Sequence, residues 1–81
     1  YAAAKGALNS ATKALSMEVA SRGITVNAVA PGIIESPMAA GAFDAEMVKN
    51  IVPAKRAGKP EEVAALVGFL AGESAGYITG Q

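Results

Sequence analysis

The first residues that could carry chemistry are Tyr1 and Lys5, separated by three alanines. Four positions apart on a helix, a phenol and an ammonium share one face, about 6 Å apart along the axis. A free tyrosine titrates near ~10, too high to exchange protons readily around neutrality, and an adjacent positive charge favours the phenolate. Such a pair suits general acid/base work on a carbonyl or an alcohol. The same spacing also arises in purely structural networks. The rest of the chain must therefore supply a scaffold and a ligand-facing loop before the pair means anything.

The scaffold begins with a helix. Ala4, Leu8, Ala11, Leu15 and Val19 recur at helical spacing and predict a buried stripe, while Ala3, Ala7, Ser10 and Ala14 form a second face of small side chains. Small residues let a neighbour approach closely, so this helix is expected to be covered on more than one side, by the remainder of a domain or by a second subunit. Gly6 costs roughly 1 kcal/mol against alanine inside a helix; a close backbone or ligand contact explains it, and so does neutral drift. Ser21-Arg22-Gly23 ends the helix, with Gly23 suited to a left-handed position and Arg22 to the negative end of the dipole.

Residues 24–30, ITVNAVA, are β-branched and almost continuously apolar, which predicts a parallel strand covered on both faces. Pro31-Gly32 stops it, and Ile33 to Pro37 lead away from its carboxyl end, the side on which open α/β sheets bind ligands. Two readings stand for that loop. In one, Gly32 admits a ligand, backbone groups at Ile33 read a planar amide and the Ser36 hydroxyl bonds a phosphate or carboxamide. In the other, Pro-Gly makes a turn and Ser36 caps a short helix.

From Met38 to Pro53 the pattern is irregular, with Asp44 a candidate cap for a short helix that turns Met47 and Val48 inward and is limited by Pro53. A substrate lid has this pattern, and so does an ordinary helical excursion; periodicity does not separate them. Lys49, Lys55, Arg56 and Lys59 make a loose basic run read as a solvated face. Gly58-Lys59-Pro60-Glu61-Glu62 starts a helix, and Val63, Leu66, Val67 and Leu70 supply its core stripe as far as Ala71-Gly72. Residues 74–81 turn into a further, incipient strand. The order predicts an α/β chain, a fragment of a Rossmann-type doubly wound parallel sheet.

Composition removes whole classes of function. With no cysteine and no histidine, neither disulfides nor thiolate or imidazole metal sites are available, and no metal is expected. Seven basic and seven acidic residues cancel, which leaves no charge argument for a nucleic-acid partner. No apolar run is long enough to cross a bilayer and no secretory pattern opens the sequence, so no membrane partner and a cytoplasmic location are the expectations. At 52% apolar and 17% charged, the chain calls for more burial than 81 residues ordinarily arrange. It enters in mid-pattern and ends on Thr79-Gly80-Gln81, as expected of an internal piece of a longer protein.

Taken in order, the strings YAAAK, GITVNAVAPGIIESPM and PAKRAGKPEEVAALVGFLAGESAGYITGQ resemble the carboxyl-terminal part of the short-chain dehydrogenase/reductase family, and within it the bacterial 3-oxoacyl-acyl-carrier-protein reductases. The resemblance covers essentially all 81 residues. It implies one NAD(P)-binding oxidoreductase domain, of which residues 1–81 are the carboxyl-terminal part; within it the substrate lid reading of the irregular segment covers residues 36–57. The implied reaction is reduction of a carbonyl to an alcohol, a 3-oxoacyl thioester in the first instance, with another alcohol, sugar or steroid as the alternative.

The resemblance also implies roles. Tyr1 matches the residue that passes a proton to the carbonyl oxygen, and Lys5 the residue that bonds the nicotinamide ribose and eases loss of that proton. Pro31, Gly32 and Ile33 match the loop that holds the nicotinamide carboxamide. Ser36 stands where the family commonly has threonine, keeping the hydroxyl. The cofactor implied is NADP or NAD, NADPH being preferred, and Arg22 falls where these reductases carry a basic side chain that docks the acidic carrier protein. Asn27 matches a structural asparagine. A homotetramer or homodimer is implied. The family's glycine-rich phosphate loop and its active-site serine and asparagine would lie upstream of Tyr1, so the isolated 81 residues are expected to be inactive. A non-catalytic family member and a small independent helical binding module are the competing readings.

Overall fold

The computed structural model describes residues 1–37, 41 and 43–81. The chain divides into two compact units, residues 1–29 with 68–81, and residues 30–67. In the first unit α1 spans Ala2–Val19, with Tyr1 at the N-cap position and the Lys5 N–H donating to the Tyr1 carbonyl at 3.0 Å. Alanine supplies much of the helix and carries the highest intrinsic propensity. A 3₁₀ turn over Ala20–Arg22 follows, and Gly23 closes it at φ 74°. There the Gly23 N–H donates to Ala20 O at 3.0 Å and the Ile24 N–H to Val19 O at 3.4 Å, the paired bonds of a Schellman stop.

The face that α1 buries is not the expected one. Leu8 and Leu15 are 55% and 47% exposed, whereas Thr12 and Ser16 are buried. Their hydroxyls donate back to Leu8 O at 2.8 Å and Lys13 O at 2.7 Å, so burial leaves neither unsatisfied. The reason for a small polar face lies in its neighbour. Gly80, at φ 75°, runs so close that a Cβ there would stand 2.8 Å from Ser16 Oγ. A leucine stripe on that face would exclude this approach.

The expected parallel sheet does not form: among the described residues there is no strand, and the Rossmann-type sheet inferred from residues 24–30 and 74–81 is corrected accordingly. Residues 24–30 have no regular assignment and lie beside 78–81. The Gly80 N–H donates to Val26 O and the Ala28 N–H to Gln81 O, both at 2.8 Å. The two acceptor-donor pairs are staggered by one residue, so they do not close a ladder. A parallel strand needs its main-chain groups paired along a neighbour, and among the described residues this segment shares only those two main-chain bonds with residues 78–81. Side chains complete the link: the Val26 N–H donates to Thr79 Oγ1 at 3.0 Å, Asn27 Nδ2 donates to Ile78 O at 2.9 Å, and the Gln81 N–H donates to Asn27 Oδ1 at 3.1 Å.

In the second unit α2 covers Ala45–Ile51, and Asp44 caps it by accepting from the Met47 N–H at 2.7 Å. Val48 is buried, but Met47, expected to face inward, is 42% exposed. A turn over 52–55 closes with the Lys55 N–H on Val52 O at 2.8 Å and puts Lys55 at φ 63°. A parallel bridge then joins Ile34 to Gly58, with the Gly58 N–H on Ile33 O and the Glu35 N–H on Gly58 O, both at 2.8 Å. α3 covers Pro60–Ala71, contributing residues 60–67 to this unit and 68–71 to the first. Its start is the expected one: Pro60 fills the first position and Glu62 accepts from the Lys59 N–H at 3.0 Å, one half of a capping box. Its expected core stripe is only half covered, with Leu66 and Val67 at 47% and 48% exposed.

Among the described apolar side chains only Val48 and Ala75 are buried. A chain this apolar thus presents much of its hydrophobic surface outward, which in folded proteins marks surfaces that other chain covers.

Candidate functional site

The first helical turn brings the proposed catalytic pair together. Lys5 Nζ lies 5.4 Å from the centroid of the Tyr1 ring. The contact follows from helical spacing: Tyr1 at the N-cap and Lys5 one turn on lie above one another. Tyr1 is 96% exposed. Among the described residues the one salt bridge joins Arg56 and Glu62, so Lys5 is in no ion pair and its ammonium, a donor of three hydrogen bonds, is engaged with the ring face.

The second group of candidate residues belongs to the other unit. Pro31 and Gly32 are exposed, and a Cβ built on Gly32 would meet nothing within 4 Å, so the backbone there is open to a ligand. Ile33 is half-buried, and its carbonyl accepts from the Gly58 N–H. Of the Ile33 backbone groups expected to read an amide, the carbonyl is thus already engaged. Ser36 is exposed, and α2 is capped by Asp44; the short helix expected after Ser36 would lie outside the described residues. Arg22 is exposed in the last turn of its 3₁₀ segment, the dipole end predicted for it.

A cavity of about 330 Å³ opens between the segment after Ile34 and α2. Phe43 and Val48 line it, as an apolar pocket requires, but Glu35, Lys49, Lys55 and Arg56 line it too. Met47 is exposed and does not line it, and Met38 lies outside the described residues.

The residue pair the sequence reading missed is Arg56 with Glu62. Arg56 Nη1 and Nη2 donate to Glu62 Oε1 and Oε2 at 2.7 and 2.9 Å, and Nη1 also donates to Ala57 O at 3.0 Å. The Arg56 fork, helped by the Lys59 N–H, lowers the Glu62 carboxyl to about 2, and the same partner raises the guanidinium above its usual value. A proline at the start of a helix with glutamate two positions later was the available signal for the cap. Nothing local named Arg56 as its partner.

Could these residues hold a dinucleotide? Taken unit by unit, the Lys5 ammonium, outside any ion pair, and the exposed Tyr1 phenol beside it in the first unit offer donors of the kind ribose hydroxyls require, and the open Gly32 backbone in the second offers the clearance a carboxamide requires.

Comparison with known proteins decides the family. The family described as enoyl-(acyl carrier protein) reductase matches residues 1–81. The chain belongs to the short-chain dehydrogenase/reductase family. It is 49% identical over 83 residues to a 3-oxoacyl-[acyl-carrier-protein] reductase of Vibrio cholerae, covering 100% of this chain and 34% of that protein. It is 51% identical over 83 residues to the protein of the same name in Escherichia coli, again with 100% and 34% covered. A tropinone reductase homolog of Arabidopsis thaliana is 49% identical over 84 residues, 100% of this chain and 32% of that one. Among solved structures, a double mutant of a Serratia marcescens short-chain dehydrogenase/reductase superposes with a TM-score of 0.87 at 43% identity, over 99% of this chain and 33% of the other. The chain spans about a third of the length of these relatives. Among the described residues no helix is long and apolar enough to cross a membrane, and no group of acidic residues is placed to hold a metal ion.

Proposed function

We propose that these residues form the carboxyl-terminal part of an NAD(P)-dependent reductase that converts a carbonyl to an alcohol, in the first instance a 3-oxoacyl thioester carried on an acyl carrier protein. The observation that supports this most is the Tyr1–Lys5 contact at 5.4 Å, in a chain of this family. In this reading the Tyr1 hydroxyl donates a proton to the substrate's carbonyl oxygen, and the Lys5 charge stabilises the phenolate that results. Lys5 also bonds the ribose hydroxyls of the dinucleotide. Pro31, Gly32 and Ile33 hold its carboxamide end, with Ser36 contributing a hydroxyl. When bound, the dinucleotide supplies the hydride that the carbonyl carbon receives. NADPH is the preferred form. Residues 36–57 serve as the substrate lid, Arg22 as a contact for the acidic carrier protein, and the working assembly is a homotetramer or homodimer. By themselves the 81 residues are expected to turn over nothing, because the upstream phosphate loop, serine and asparagine of the family belong to the same site.

The test is Tyr1→Phe in the full-length protein. Turnover of a short 3-oxoacyl thioester should fall by about 10²–10⁴-fold, the usual contribution of a positioned proton donor, while NADPH affinity changes little. Near-normal turnover would overturn the assignment. The family's description names an enoyl substrate whereas the bacterial relatives are named for a 3-oxoacyl one, so a 2-enoyl thioester assayed in parallel separates the two. Turnover of the enoyl compound alone would move the reaction from the carbonyl to the double bond.

A further inference from the structure

The segment proposed to hold the carboxamide does not stand by itself. Ile33 and Glu35 are both bonded to Gly58, through the Gly58 N–H on Ile33 O and the Glu35 N–H on Gly58 O. The approach is so close that a Cβ on Gly58 would lie 2.8 Å from Ile34 Cδ1 and 3.7 Å from Ile33 O. Whatever fixes Gly58 therefore fixes the backbone of 33–35. On either side of Gly58 the chain is held by one carboxylate: Arg56 grips Glu62 with both guanidinium nitrogens, and the Lys59 N–H donates to the same Glu62. Arg56 Nη1 further donates to Ala57 O, which leaves residues 56–59 tied to the first turn of α3.

We propose that Arg56 and Glu62 are positioning residues for the dinucleotide: they form a clasp across the first turn of α3 that holds Gly58 against residues 33–35, and so set the Pro31–Ile33 backbone that meets the carboxamide. This rests on the functional reading above for the role of Pro31, Gly32 and Ile33. The clasp itself rests only on the contacts. Neither residue touches the cofactor in this scheme; each acts through Gly58. The geometry suits the task. A bidentate guanidinium–carboxylate pair fixes both orientation and distance, and its second acceptor duty toward Lys59 anchors it to a helix end.

Arg56→Gln, Glu62→Gln and Arg56→Lys in the full-length protein test this by two readouts. Amide exchange at Glu35 and Gly58 reports the clasp. Fluorescence titration with NADPH reports its consequence, and kcat at saturating NADPH serves as the reference. Each glutamine variant should speed exchange at both amides and weaken NADPH binding by roughly fivefold, the upper end for an exposed but bidentate pair, with kcat at saturation little changed. Arg56→Lys, which keeps the charge and loses the fork, should fall between. A residue that merely stabilised the fold would leave NADPH affinity unaltered well below the melting temperature. Unchanged exchange overturns the clasp, and faster exchange with unchanged NADPH affinity overturns the positioning role. Wild-type protein that binds neither NADPH nor NADH overturns the functional reading and the positioning role with it, but a wild type that binds and variants that bind equally well overturn the positioning role alone.

Discussion

The Asn27 side-chain bonds to residues 78–81 make a prediction in which pH changes the outcome. Asn27 donates through Nδ2 to the part-buried Ile78 carbonyl at 2.9 Å and accepts through Oδ1 from the Gln81 N–H at 3.1 Å. Asn27→Asp keeps the shape and, when ionised, has acceptors only. It retains the Gln81 bond and turns a carboxylate oxygen toward the Ile78 oxygen with no proton between them. Loss of one hydrogen bond and an unsatisfied part-buried carbonyl together cost about 2 kcal/mol. That is about a thirtyfold change in local opening, and the amides that report it are Gly80 and Ala28, whose bonds to Val26 O and Gln81 O flank those side-chain bonds. Half-burial and the facing carbonyl raise the introduced group's folded pKa above its unfolded value of about 3.9. A raised folded pKa means a contribution fully present below the unfolded value and lost as pH rises through the folded one. Protonated, the carboxyl donates to Ile78 as the amide did. Exchange at Gly80 and Ala28 in the full-length variant, corrected for its intrinsic pH dependence, should therefore be fast at pH 7 and return toward the native rate near pH 4. Asn27→Ala should show a deficit that does not respond to pH. Native protection of the Asn27→Asp variant at pH 7, or a deficit that grows on acidification, would refute the reasoning.

Local chemistry was legible in the sequence, and pairing at a distance was not. The Schellman stop at Gly23, the Asp44 cap and the Pro60 helix start are each decided within a few residues, and each is where the pattern put it. The Tyr1–Lys5 contact is of the same kind, being one helical turn. The strand expected at 24–30 failed for the opposite reason. β-branched content says that a segment suits a sheet but provides none of the partners, and the neighbour found among the described residues, 78–81, bonds to it with a one-residue stagger. Burial failed likewise. Leu8, Leu15, Leu66 and Val67 have the right spacing for covered faces, yet each is about half exposed. Spacing identifies which side chains share a face, while whether that face is covered depends on chain elsewhere. The clasp shows the third limit: Arg56 read as one of several solvated cations because its partner lies across a loop, on the first turn of α3.

Two further predictions concern that clasp. Glu62 is held at about 2 by the Arg56 fork and then the Lys59 N–H. A depressed folded pKa gives a contribution present above the unfolded value of about 4.3 and lost as pH falls through the folded one. The clasp should therefore be intact at pH 3 and open toward pH 2, as followed by the Glu62 carboxyl carbon shift; a midpoint near 4 would mean the pair is not formed in solution. Gly58→Ala tests the contact beneath it. The new methyl would lie 2.8 Å from Ile34 Cδ1, well inside the carbon–carbon optimum of about 3.5–4.0 Å. Because Cδ1 is the far end of a half-buried side chain that can change rotamer, the cost should sit at the low end for overpacking, about 1 kcal/mol. Ile34→Val removes the clashing atom. Combined with Gly58→Ala it should restore most of the lost stability, giving a coupling of about 1 kcal/mol in urea unfolding of the full-length protein at fixed concentration. Additive effects would show that Gly58 and Ile34 do not meet, and the bridge that ties residues 33–35 to the start of α3 would then have to be abandoned.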